Sequence, residues 1–169
     1  MSGCSGSRPP ASGAAFTAPA TINLTATVTT NGNTINKVQF YSNAADLIGE
    51  DALPPYAFVW PNVSAGSYSV RARVVYNGSS TADSTAASVT VTNPPPVISS
   101  SAVLSNGSFT LGGSGAAGQT YVLVTASNLA SPMVWTSNAT TTADINGAFS
   151  FSDPQATNHQ QRFYRIRTP

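Results

Sequence analysis

The stretch from Lys37 to Tyr76 constrains the fold more than any other part of the chain. Three of its runs have a period of two: Lys37-Val38-Gln39-Phe40-Tyr41 and Tyr68-Ser69-Val70-Arg71-Ala72-Arg73-Val74 alternate apolar with polar residues, and Tyr56-Ala57-Phe58-Val59-Trp60 alternates bulky rings with smaller side chains. A period of two sends successive side chains to opposite faces, which is the pattern of a half-buried strand and not of a helix. Gly, Pro and Asn fill the gaps between runs, so each run ends in a turn. Parity places Val38 and Phe40 inward, together with the rows from Tyr56 to Trp60 and from Tyr68 to Val74. Lys37, Gln39, Tyr41, Arg71 and Arg73 point outward. Most large aromatic rings are thereby committed to a core, and few remain for chemistry.

The same grammar extends along the chain. Ile22, Leu24, Ala26 and Val28 share one face, Asn31-Gly32 marks the next turn, and Val89 and Val91 close the pattern. Strands this short and this closely spaced suit two packed antiparallel sheets. Asn93-Pro94-Pro95-Pro96 then interrupts any strand, because proline has no N–H for a ladder and favours extended geometry. A second alternating region follows, with Phe109 and Leu111, a Tyr121–Thr125 run, Trp135, Phe149 and Phe151, and a closing Arg162–Arg167 run. Residues 112 to 118 read as a glycine-rich hairpin loop. Trp135, Phe149, Phe151 and Tyr164 are expected to carry much of this region's core. The expectation is an all-β protein of two tandem Ig-like antiparallel sandwiches: a flexible tail over 1–13, a first sandwich over 14–92, a Pro-rich linker over 93–96, and a smaller sandwich over 97–169.

Composition excludes several roles. Charged residues form 8% of the 169, against about 25% in an average soluble protein. The formal net charge is +1, which argues against electrostatic capture of nucleic acid. Lys37 is the sole lysine and Glu50 the sole glutamate, a shortage of surface helix formers that fits a secreted β-protein. Cys4 is the only cysteine, so no intrachain disulfide can form. No apolar run approaches the roughly 20 residues of a membrane-spanning helix, so membrane insertion is not expected. The signal of an exported protein would lie outside this chain.

Residues 16–92 resemble a bacterial Ig-like domain of secreted glycoside hydrolases and adhesins. The resemblance rests on Phe16, Pro19, Lys37-Val38-Gln39-Phe40-Tyr41, Leu47-Ile48-Gly49, Pro55–Trp60, Ala65-Gly66-Ser67-Tyr68 and Val89-Thr90-Val91. Residues 97–169 are similar to a β module often placed at the C-terminus of large secreted bacterial proteins, through Gly118–Tyr121, Asp144–Pro154 and Gln161–Ile166. The resemblance implies an extracellular accessory role and supplies no catalytic residues. Relatives of the first region often carry an acid near Val75-Tyr76-Asn77-Gly78, and its absence argues against calcium there.

Candidate chemistry is sparse. Gly113-Ser114-Gly115-Ala116-Ala117-Gly118 matches a dinucleotide fingerprint, but a β run follows where the motif needs a helix N-terminus for the phosphates. His159 is the only histidine, in a polar segment, which leaves no His-rich metal site and few ways to build a Ser-His-Asp triad. The six acids are scattered and define no cleft for paired-carboxylate hydrolysis. Asp144-Ile145-Asn146-Gly147 begins like a calcium loop, lacks the later bidentate Glu, and is read as a hairpin turn. Sugar binding needs exposed rings, and parity offers Tyr41, Tyr76 and Phe163 as ligand-binding candidates. No enzyme, cofactor or metal site is expected. The leading expectation is a non-catalytic extracellular spacer or adhesion module whose partners are other domains of a larger secreted protein. The alternatives are a carbohydrate-binding accessory module that takes polysaccharide, and a subunit of an extracellular fibre pairing with like subunits through its tail or an edge strand.

Overall fold

The computed structural model describes residues 10–169 and divides the chain into two compact units, Met1–Asn93 and Pro94–Pro169. Cys4 and most of the expected tail lie outside the described residues. The end of that tail is tied down: Gly13 N–H donates to Ser88 O at 2.8 Å, and the Ser12 and Ser88 hydroxyls are 3.1 Å apart.

The first unit contains β1 (Ala14–Thr17), β2 (Ala20–Ala26), β3 (Ile35–Ser42), β4 (Asp46–Asp51), β5 (Tyr56–Val63), β6 (Gly66–Tyr76), β7 (Ser80–Asp83) and β8 (Ala87–Thr92). One sheet runs β1-β8-β6-β3-β4, with β7 also on β6, and the other is the β2–β5 pair. Pairing is antiparallel except for β1 on β8, which is parallel. Between the sheets lies a core built from the inward rows that alternation assigns. Leu24 and Val38 are fully buried, and Phe40 and Ile22 nearly so, with Tyr56, Phe58 and Trp60 packed on them at partial exposure. Gly49 stands opposite Phe40 in the ladder. A Cβ there would fall 2.3 Å from the Phe58 ring, which stacks on Phe40 with centroids 6.2 Å apart. The absent side chain of Gly49 makes room for that ring.

The second unit contains β9 (Val97–Val103), β10 (Phe109–Ser114), β11 (Thr120–Ala126), β12 (Thr136–Thr142), β13 (Ala148–Asp153) and β14 (Phe163–Arg167), plus a single 3₁₀ turn at Ala156–Asn158. Its sheets are ordered β13-β10-β9 and β12-β11-β14. Leu111, Tyr121, Leu123, Phe149 and Phe151 form the core, with Phe109, Tyr164 and Ile166 packed against it. Tyr121 is its largest fully buried side chain, whereas Trp135 lies just before β12 and outside this cluster. The weight expected on Trp135 therefore falls on Tyr121. Its ring meets Phe149 at 4.7 Å, and its hydroxyl accepts the Ala116 N–H at 2.8 Å.

The glycine-rich run is only partly a loop. Gly112 and Gly113 belong to β10, where the register shifts. A Cβ at Gly113 would lie 2.4 Å from Val97 O and 2.5 Å from the Phe149 ring, so close approach selects glycine there. Asp144–Gly147 forms the expected turn: Gly147 N–H donates to Asp144 O, and Asp144 Oδ1 accepts the N–H groups of Asn146 and Ala148. Asp144 Oδ1 and the Asp144 carbonyl are thus engaged in holding the hairpin.

Candidate ligand-binding surfaces

The outward face of the first unit's larger sheet gathers most of its charge. Ladder pairing sets Gln39 beside Arg73 and Glu50, and Tyr41 beside Arg71. Lys37 Nζ reaches Glu50 Oε2 at 2.8 Å, and Gln39 Nε2 donates to the same oxygen at 3.2 Å. Arg73 Nε and Nη2 bond the two oxygens of Asp83 at 2.6 and 3.0 Å, and Arg71 also pairs with Asp83. The hydrogen bond from Arg73, reinforced by the charges of Arg71 and Arg73, holds the Asp83 carboxyl below the usual carboxylate range. The hydrogen bonds from Lys37 and Gln39 do the same for Glu50.

Tyr41 lies within this network. Its ring carries the Arg71 guanidinium at 5.1 Å and that of Arg73 at 5.2 Å from the centroid, and its hydroxyl donates to Gln39 Oε1 at 3.0 Å. The outward parity assigned from sequence holds, but two cations occupy the ring. Tyr76 shares the inward parity of Val70, Ala72 and Val74 and packs against the core. The structure does not bring Tyr41 and Tyr76 together as a ring platform. Phe163 opens β14 in the other unit, half-buried and opposite Ala126.

The second unit holds a polar cluster that periodicity does not announce. Asp153, at the end of β13, is 1% exposed. Arg162 Nε lies 3.1 Å from Asp153 Oδ2, in an ion pair whose N–H is not aimed at that oxygen, while Arg162 Nη2 donates to Thr125 Oγ1 at 3.2 Å. Tyr164 OH donates to Asp153 Oδ2 at 3.1 Å, and Gln155 N–H to Oδ1 at 3.0 Å. Burial, then the hydrogen bond to Asp153, pushes the Tyr164 phenol up to about 12. A buried carboxylate with one cation and two hydrogen-bond donors is a satisfied structural site. The only sequence signal for it was an Asp two residues beyond a core Phe.

Beside this cluster a pocket of about 350 Å³ is lined by Thr125, Ala126, Ser127, Val134, Thr136, His159 and Arg162. His159 is thereby a wall residue of a hollow, with no carboxylate among its lining partners. Among the described residues, no group of three or more His, Cys, Asp or Glu could hold a metal ion. Nor is any helix there long and apolar enough to cross a membrane.

A family model described as a bacterial Ig domain matches residues 9–72. Among solved structures, the fibronectin(III)-like modules of Clostridium thermocellum CbhA are similar at 30% identity, over 51% of this chain and 92% of that one, with a TM-score of 0.48. Extracellular domains 3–5 of Drosophila OTK align at 10% identity, over 99% of this chain and 65% of that one, with a TM-score of 0.42. No curated protein matches the chain. Domains of the matched kind are typical of extracellular or surface proteins, sit within larger multi-domain chains, and are generally non-catalytic.

Proposed function

Because the first unit of this chain belongs to the bacterial Ig domain family, we propose that the protein is a non-catalytic extracellular module of a larger bacterial protein, spacing or presenting its neighbours. The observation that carries this reading is the fate of the aromatic and charged side chains. The rings of the first unit pack on its core, apart from Tyr41 with its two covering arginines, and every described cation and Asp83 and Glu50 of that unit are engaged in ion pairs. Such a surface suits a non-catalytic module.

One observation favours a second reading, in which like chains associate through an edge. β9 is exposed along its whole length and ends its sheet, with Val97 at 57% and Val103 at 72% exposure and no charged residue between them. An uncharged apolar edge is a template for another strand. Light scattering after size exclusion, across concentration, separates the two readings. A spacer remains a monomer and releases no reducing ends from a glycan panel. Association abolished by Ser101→Lys would replace the spacer reading with assembly, and released reducing ends would overturn both.

A further inference from the structure

Along β14, on the side of the β12-β11-β14 sheet turned away from Tyr164 and Ile166, stands an arrangement that the spacer role leaves unused. Ladder pairing aligns Val122 with Arg167, Val124 with Arg165 and Ala126 with Phe163. Strand alternation sends these six side chains to the face opposite Tyr164 and Ile166; Val122, Val124 and Ala126 are themselves buried there, so the β14 side chains form the accessible part of the row. Arg165 and Arg167 are exposed and Phe163 is half-buried. On the far side of β11, Thr140 pairs with Val122 and Thr142 with Thr120, which adds two exposed hydroxyls to the same face. The row does not end at Phe163: its ladder partner Ala126 also lines the pocket of about 350 Å³, whose wall includes Arg162.

Charge marks this face out. Among the described residues, Lys37, Arg71, Arg73 and Arg162 each have a carboxylate partner. Arg165 and Arg167 have none, although a chain so poor in charge has few cations to leave unpaired. They stand two residues apart on one strand, about 7 Å between side-chain origins, and the Phe163 ring continues the row at the same spacing. Edge-strand arginines alone would serve to repel other strands. A ring in line with them, hydroxyls alongside and a pocket at the end go beyond that need.

We propose that this face binds an anionic polysaccharide, a chain of uronic acid residues, laid along β14. Arg165 and Arg167 pair with successive carboxylates, a geometry the planar guanidinium matches in bidentate fashion. Phe163 presents its ring to the C–H face of the next sugar, and the pocket beside Ala126 takes the residue beyond. The inference goes past the spacer role and rests on it only for the extracellular setting.

The test is retention of the full chain on immobilised polygalacturonate, with neutral β-glucan and duplex DNA as the other two supports. Retention on polygalacturonate alone is expected, weakened by salt as the carboxylate contacts are screened. The Arg165→Gln/Arg167→Gln variant should lose about tenfold or more in affinity. Phe163→Leu should weaken binding with its salt dependence unchanged, and Lys37→Gln in the other unit should leave it untouched. Circular dichroism and tryptophan emission confirm that each variant is folded. Absence of retention, or retention unchanged in the double arginine variant, overturns the proposal. Equal retention on DNA also overturns it, since charge alone would then suffice. A folded monomer that binds none of the three leaves the module reading standing, whereas hydrolysis of the polysaccharide would overturn that reading instead.

Discussion

Asp153→Asn should destabilise the second unit by about 3 kcal/mol, although it removes no atom from the packing. Asparagine keeps an oxygen for the Gln155 N–H and another polar atom near Tyr164, so the change isolates the charge. At 3.1 Å and an effective dielectric of about 20, the Asp153–Arg162 attraction is about 5 kcal/mol before desolvation is subtracted. Removing one member of a buried pair typically costs about 3–5 kcal/mol. The lower end applies because the Arg162 side chain retains 14% exposure at the pocket wall and can partly rehydrate. A unit of this length has a total stability of about 4–11 kcal/mol, so the loss is a large share of it. Urea unfolding reads it directly. Trp60 and Trp135 lie in different units, and in a Trp60→Phe background the emission reports the second unit alone. With an m-value of about 1 kcal/mol/M, the midpoint should fall by about 3 M. Arg162→Met should cost at least as much, because it strands a carboxylate that is 1% exposed. The double variant should cost less than the sum by about 2 kcal/mol. A loss below about 1 kcal/mol for Asp153→Asn, with the two changes additive, would refute the assignment of this pair as a coupled buried ion pair.

Further outcomes follow from the geometry. Gly113→Ala should destabilise the second unit by about 1–3 kcal/mol in urea, because the new methyl meets the Val97 carbonyl as well as the Phe149 ring; Gly49→Ala should cost less, since the nearest atoms its methyl would meet belong to the partly exposed Phe58 side chain and not to backbone. Tyr121→Phe should cost about 1–3 kcal/mol by leaving the Ala116 N–H without its acceptor, read as a lowered urea midpoint. For pH, the Asp83 carboxyl is held low in the folded chain, so its stabilisation is full above the unfolded value of about 4 and is lost as pH falls through the lower folded value. The first unit's thermal midpoint should accordingly drop below about pH 4, and Asp83→Asn should flatten that part of the profile. Tyr164 runs the opposite way: with its phenol raised to about 12, its contribution is intact below about pH 10 and lost between there and 12, a decline that Tyr164→Phe should reduce.

Much of the fold was legible in the residues. Alternation alone sorted Val38, Phe40, Val70, Ala72 and Val74 from Gln39, Arg71 and Arg73, because a strand has only two faces and one of them must be dry. Asn31-Gly32 and Asn146-Gly147 marked turns because each contains a glycine that adopts positive φ at no steric cost. Each of these signals is local, and each reads from a few neighbouring side chains.

Candidate sites behaved differently, since a ring's availability depends on what lies across the ladder. Tyr41 pointed outward as its parity required. Only the pairing of β3 with β6 put Arg71 and Arg73 over it, from about 30 residues further along the chain. The same holds for Asp153, which is ordinary in sequence and becomes a buried charge because β14 and the preceding loop deliver Tyr164 and Arg162 to it. Trp135 was expected in the second core, and the packing of β11 put Tyr121 there instead. The sequence by itself determined the all-β class, the faces and the turns, because those follow from the geometry of one strand. Tertiary structure decided which aromatics are covered, which charges are paired and where Arg165 and Arg167 stand without a carboxylate partner among the described residues. Those outcomes are sums of contacts between strands, and no single strand encodes its neighbour.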